Sequence, residues 1–144
     1  MLRSLINGLK DILYPRTCLV CKKNIAGRPS VNDSVCLVCW EKIKINPPPF
    51  CHCCGRHLKS FSPAKNMCPS CLKKKLHFDR AFSPCVYEGA IKELIHEFKY
   101  KNKDYLGSVL SKPMINFIEE YNLPMEYLDL IIPVPLHSTR LRER

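Results

Sequence analysis

The chain has 144 residues, 46% of them hydrophobic, and a formal charge of +10 from 23 Lys and Arg against 13 Asp and Glu. It contains no apolar run of the roughly 18 residues that a membrane-spanning helix needs. Its ten cysteines stay below the roughly 8–10% content that marks a disulfide scaffold.

Residues 2–13 place Leu2, Leu5, Ile6, Leu9, Ile12 and Leu13 at helical spacing, and Pro15 ends the pattern. The segment 1–14 is therefore expected to be an amphipathic helix that packs on the rest of the chain or touches a membrane or partner. It does not read as a signal peptide, because Asn7, Gly8, Lys10 and Asp11 interrupt the apolar pattern. A cytoplasmic location is expected, where thiols stay reduced and free for metal.

Four Cys-x-x-Cys pairs come next: Cys18/Cys21, Cys36/Cys39, Cys51/Cys54 and Cys68/Cys71. A thiolate pair two residues apart grips one side of a tetrahedral ion from a single tight turn, and two pairs close a four-cysteine zinc site with Zn–S bonds of about 2.3 Å. Four pairs thus imply two zinc ions, although iron suits the same donors. A thioredoxin-like redox pair would not need four repeats at this spacing. Between the pairs lie 14 residues (22–35), 11 residues (40–50) and 13 residues (55–67). The outer two suit a short hairpin or loop returning to its own metal, while Pro47-Pro48-Pro49 makes the middle one a stiff extended spacer.

The spacing therefore reads as a double zinc ribbon over 15–75, in two sequential ribbons, 15–46 and 50–75. Their ligands are Cys18, Cys21, Cys36 and Cys39, then Cys51, Cys54, Cys68 and Cys71. The alternative is an interleaved arrangement, first pair with third and second with fourth. Within Cys51-His52-Cys53-Cys54-Gly55, the spacing favours Cys51 and Cys54 over Cys53, and Gly55 permits the tight turn around the metal. His52 has no spacing partner and reads as a solvated side chain. Trp40, next to Cys39, reads as a shield for the first site. So polar a segment is expected to fold only around its ions. Eight thiolates and two zinc ions bring the net charge to about +6, still basic and suited to phosphate-bearing partners.

After Lys73-Lys74-Lys75 the composition changes, and 76–144 reads as a second unit. Phe78 to Tyr87 is β-prone, with Pro84 arguing for an edge strand or bulge and Cys85 reading as a small buried hydrophobe. Glu88-Gly89 turns into a helix with Ile91, Leu94, Ile95 and Phe98 on one side. A second helix carries Leu106, Val109, Leu110, Met114, Phe117 and Ile118, with a kink or break expected near Ser111 because of Pro113. Leu128 to Ile132 reads as a buried strand of a parallel sheet, ended by Pro133 and Pro135. Ser138 is a plausible N-cap for a helix starting Thr139-Arg140-Leu141-Arg142, a place where open α/β sheets bind phosphate.

The four Cys pairs, Tyr87-Glu88-Gly89, Phe98-Lys99-Tyr100, Ile132-Pro133-Val134-Pro135-Leu136-His137 and Arg140-Leu141-Arg142-Glu143-Arg144 occur in the order found in the ComF family, which the chain resembles over nearly its whole length. The resemblance implies a double zinc ribbon followed by a type I phosphoribosyltransferase-like α/β domain, and a cytoplasmic role in DNA uptake during natural competence. It also implies that residues 135–144 handle pyrophosphate, which makes Arg140 and Arg144 the candidate phosphate contacts; guanidinium forks suit phosphate oxygens. The family's Gly-Phe-Asn-Gln stretch, and its acidic pair followed by Thr-Thr-Gly-x-Thr, have no counterpart in these 144 residues. The chain thus reads as an N-terminal part with an incomplete, truncated α/β domain. Phosphoribosyl pyrophosphate is a ligand only for a complete relative, and no catalytic residue is assigned.

Two other functions compete. One is a stand-alone module holding single-stranded DNA or RNA, with Trp40, Phe50 and Phe61 as stacking aromatics. The other is protein docking, with a competence helicase component as the partner that the resemblance suggests, through the helix 2–13 and the exposed stripes. Those stripes should pack on a multi-stranded sheet, so with a single core strand present a large apolar patch stays open or is covered by another chain.

Overall fold

The computed structural model describes residues 15–59, 66–74 and 76–135. The amphipathic segment 1–14, Phe61, Arg140 and Arg144 lie outside them. Among the described residues, no helix is long and apolar enough to cross a membrane.

The front half is built from two copies of one small unit. In the first, the chain turns sharply at Cys18–Lys23: the Cys18 N–H donates to the Lys23 carbonyl at 2.8 Å, and the Lys22 N–H donates to the Cys18 carbonyl at 2.8 Å. A hairpin follows, β1 (Ser30–Val31) against β2 (Val35–Cys36), with Val31 opposite Val35. Asn32 and Asp33 turn it at φ 48° and 49°. Asn and Asp tolerate that left-handed conformation better than other non-glycine residues. The short helix α1 (Leu37–Trp40) then carries Cys39.

The second unit repeats the turn and the short helix. The Cys51 N–H donates to the Arg56 carbonyl at 2.7 Å and the Gly55 N–H to the Cys51 carbonyl at 3.0 Å. A one-turn helix, α2 (Pro69–Lys73), carries Cys71. The isolated bridges Thr17–Asn24 and Phe50–His57 occupy matching places at the mouths of the two turns.

Residues 80–87 form a strap rather than a full strand. The Ala81 N–H donates to the Cys53 carbonyl at 2.7 Å, the Pro84 carbonyl accepts the Asn46 N–H at 2.9 Å, and the Val86 N–H donates to the Lys44 carbonyl at 2.9 Å. Only Ile45 and Cys85 make a bridge. Pro84, without an N–H, serves here purely as an acceptor. Asn46 is buried and clamps the crossing, its side-chain amide donating to the Gly55 and Ser83 carbonyls at 2.8 and 2.9 Å.

Two longer helices complete the back half, α3 (Gly89–Tyr100) and α4 (Gly107–Glu120). Ile91 and Leu94 of α3, with Leu106 and Val109, enter the same core as Cys18, Ile25, Val31, Val35 and Cys39 of the first unit. The second unit has a smaller cluster of its own around Leu58. Two polar ties add to the shared core: Lys22 pairs with Glu97 at 3.2 Å, and Asn32 Nδ2 donates to Ser108 Oγ at 2.9 Å.

Helix α4 does not break near Ser111 but runs on through Pro113, whose ring lies on the buried side, where packing offsets the intrahelical bond lost. One expectation fails. Leu128–Ile132 is not a strand, and Leu130, Ile131 and Ile132 are 72%, 83% and 73% exposed. A strand is defined by its neighbour, and among the described residues no strand lies beside this one.

Candidate metal centres

Each unit brings four sulfurs to one point. Cys18, Cys21, Cys36 and Cys39 form one group, and Cys51, Cys54, Cys68 and Cys71 the other, each with its ligand atoms within 4.8 Å of one another. The pairing is therefore sequential, not interleaved. The ligands come from matching places: two from the sharp turn, one from the residue that caps the short helix, and one from inside that helix.

The geometry fits zinc. Four sulfurs about 2.3 Å from a tetrahedral ion lie about 3.8 Å apart. Cys21 and Cys36 stand 3.8 Å apart, and Cys54 and Cys68 3.7 Å. A disulfide would bring them to about 2.05 Å, and all ten cysteines are free. With four protein donors each site is closed, and the ion supplies cross-linking, not an open position for substrate.

The backbone prepares the sulfurs for charge. The Cys36 N–H points at Cys18 Sγ at 3.4 Å, and the Cys68 N–H at Cys51 Sγ at 3.2 Å. Burial alone raises the Cys18 thiol, but N–H groups of Cys21, Cys36 and Val20 outweigh it and bring the pKa down to about 6. Cys51 behaves alike: burial opposes, and donors from Cys54, Cys68 and Cys53 lower it to about 6. The last cysteine of each set moves the other way. Burial, and then its sulfur neighbours, push Cys39 up to about 12, and the same causes raise Cys71. In the second set the Cys71 N–H, against burial, lowers Cys68 as well, so the backbone favours charge on the first cysteine of each set and on Cys68. With metal all four lose their protons, so metal affinity is strongly pH-dependent.

The remaining candidates separate cleanly. Cys53 is buried among the second cluster but stands outside its four-sulfur group. His52 is exposed. Cys85 is a buried residue of the strap, and burial raises its thiol pKa. Trp40 packs, half-buried, against the core that holds Cys18 and Cys39. Phe50 lies 5.5 Å from Phe117 and 5.1 Å from Tyr121, centroid to centroid, so it belongs to the contact with α4. Sequence reading missed Lys22 and Asn46. The equivalence of Lys22 to Gly55, each directly after a Cys-x-x-Cys pair, was the available signal.

Comparison with known proteins agrees with this geometry. Residues 9–75 match the family model described as Double zinc ribbon domain. No curated protein and no solved structure matches the chain. The front half of the chain is a double zinc ribbon with two four-cysteine zinc-binding sites, one at 18/21/36/39 and one at 51/54/68/71.

Proposed function

We propose that the chain is the zinc-ribbon part of a ComF-type, phosphoribosyltransferase-like protein that acts in competence-related DNA uptake. The observation that carries the reading is the shared core: the first ribbon is built into α3 and α4, whose sequence bears the family's Tyr87-Glu88-Gly89 and Phe98-Lys99-Tyr100. A ribbon that served alone as a nucleic-acid reader would have no need of that fusion. In this reading the two zinc sites are structural, and they set the platform on which the α/β portion is assembled. Arg140 and Arg144 are the phosphate contacts of that portion, and phosphoribosyl pyrophosphate is the ligand of a complete domain.

Deleting the gene in its own host should lower transformation by added DNA at least about a hundredfold, with uptake restored by the intact gene and not by one in which Cys18 and Cys51 are both serine. Unchanged transformation in the deletion strain would end this reading. Calorimetry adds a second check, since titrating phosphoribosyl pyrophosphate into the 144-residue chain should give no micromolar binding.

Single-stranded DNA is a second reading, favoured by Lys23, Arg28 and Lys42 around the exposed Leu37 and Val38 beside the first zinc site. Each phosphate contact steepens the fall of log affinity with log salt by roughly 0.7. A flat salt response, or no binding at physiological ionic strength, removes it. The engagement of Trp40 and Phe50 in packing leaves the described face short of stacking aromatics.

A further inference from the structure

The back half carries an apolar surface beside the core that it shares with the first ribbon. A trough runs between the strap 80–87 and the helices. One end, a cavity of about 590 Å³, is walled by Phe82, Met114, Ile118 and Leu123. The other, about 390 Å³, is walled by Ile91, Ile95 and Leu110. Pro84 and Met114 line both cavities, so the two adjoin along the strap. The charged side chains along the trough are cationic, Arg80 at the first end and Lys99 at the second.

The same chain carries a segment with the opposite shape and charge. Leu128, Leu130, Ile131, Ile132 and Val134 are 55–89% exposed, in a stretch without helix or strand pairing. In extended backbone Leu128, Leu130, Ile132 and Val134 share one face. The single charge among them is the anion Asp129. Leu128 lines the rim of the first cavity, so the segment leaves the trough there and the residues after it stand clear of it.

We propose that the trough is the seat for residues 129–134 of a second copy, with Leu128 staying on its own cavity, so that two 144-residue chains exchange these segments in a two-fold dimer. Six extended residues span about 20 Å. A reciprocal exchange closes the symmetry, because each copy both gives and receives. Two such contacts bury on the order of 1,200 Å², within the range of stable interfaces. Aliphatic side chains leave water on both sides, and Asp129 enters a trough whose charges are positive. This inference is independent of the competence reading, since self-association is measured without DNA or phosphoribosyl pyrophosphate.

Sedimentation velocity of the zinc-loaded chain, over a wide micromolar range, tests it. A monomer–dimer equilibrium is expected. Leu130→Asp with Ile132→Asp, in the segment, and Met114→Asp, in the trough, should each weaken it at least about tenfold. All three positions are more than half exposed, so the fold should persist, and zinc content with circular dichroism checks that it does. Mixing the segment variant with the trough variant should restore one-way association, because one intact segment then meets one intact trough. A chain that stays monomeric throughout, including one whose segment folds back on its own trough, overturns the proposal. So does a dimer indifferent to both substitutions.

Discussion

Lys22 and Gly55 occupy the same place in the two ribbons, yet only one of them is the residue that the place prefers. Both come directly after the second cysteine of a turn, and both donate their N–H to the first cysteine's carbonyl. Both hold a left-handed backbone, at φ 61° and 67°. For a residue with a Cβ that conformation costs about 1–2 kcal/mol. At 55 glycine is required twice over, since a Cβ would also lie 2.5 Å from the Ala81 carbonyl oxygen. At 22 the lysine has a compensating use: its Nζ donates to the Leu19 carbonyl at 2.6 Å and pairs with Glu97. Comparing two variants that both lose the ammonium isolates the backbone cost. Lys22→Gly should exceed Lys22→Ala in stability by about 0.5–1 kcal/mol, after allowing for the extra freedom of glycine in the unfolded chain; denaturant unfolding of the zinc-loaded proteins measures it. Equal stabilities would show that residue 22 bears no strain. The eight ligands were legible in the sequence because metal spacing is a local property. The demand on residue 22 was hidden, because a lysine does not advertise its φ.

At the scale of elements, a carboxylate of α3 adds a polar tie to the core that α3 shares with the first ribbon. Glu97, mostly buried, takes Lys103 at 2.6 Å and Lys22 at 3.2 Å. The hydrogen bond from Lys103, aided by Lys22 and opposed by burial, holds its pKa below the ordinary 4.5. Between the lowered folded value and 4.5 the unfolded chain binds more protons than the native one, so stability rises with pH there. The contribution is complete above about 4.5 and is lost as pH falls through the folded value. Glu97→Gln should therefore cost about 1 kcal/mol at neutral pH. That gap should close as the solution is acidified below about pH 4.5. Both proteins surrender zinc in acid, so the difference between their unfolding curves is the quantity to read. A gap that stays constant into acid would show that the charge of Glu97 is immaterial. The helices themselves were readable from their stripes, since Ile91, Leu94, Val109 and Phe117 are the buried positions. The extended segments were not. Apolar runs at 78–87 and 128–132 announce a need for burial without naming the neighbour, and one became a strap while the other stays exposed.

For the molecule as a whole, the two zinc sites are alike in geometry and unlike in what rests on them. Cys18 and Cys39 are members of the same core as Ile91, Leu94, Leu106 and Val109. Cys51, Cys68 and Cys71 pack with Leu58 and Cys53 in a cluster that contains no residue of α3 or α4. The second ribbon meets the helices at its edge, through Phe50 against Phe117 and Tyr121. Metal binding in so small a ribbon is folding free energy, so losing either ion should unfold its own ribbon, but only the first should loosen the helices. Replacing Cys39 by serine is expected to lower amide-exchange protection in α3 at least about tenfold, or 1.4 kcal/mol. Replacing Cys71 by serine should leave α3 protection nearly unchanged while exposing amides around Cys51 and Cys54. Exchange is the right observable because it reports opening element by element, where a melting curve would merge the two events. If both substitutions release α3 equally, the shared core does not transmit the loss, and the edge contact through Phe50 must carry as much of the load as the interior.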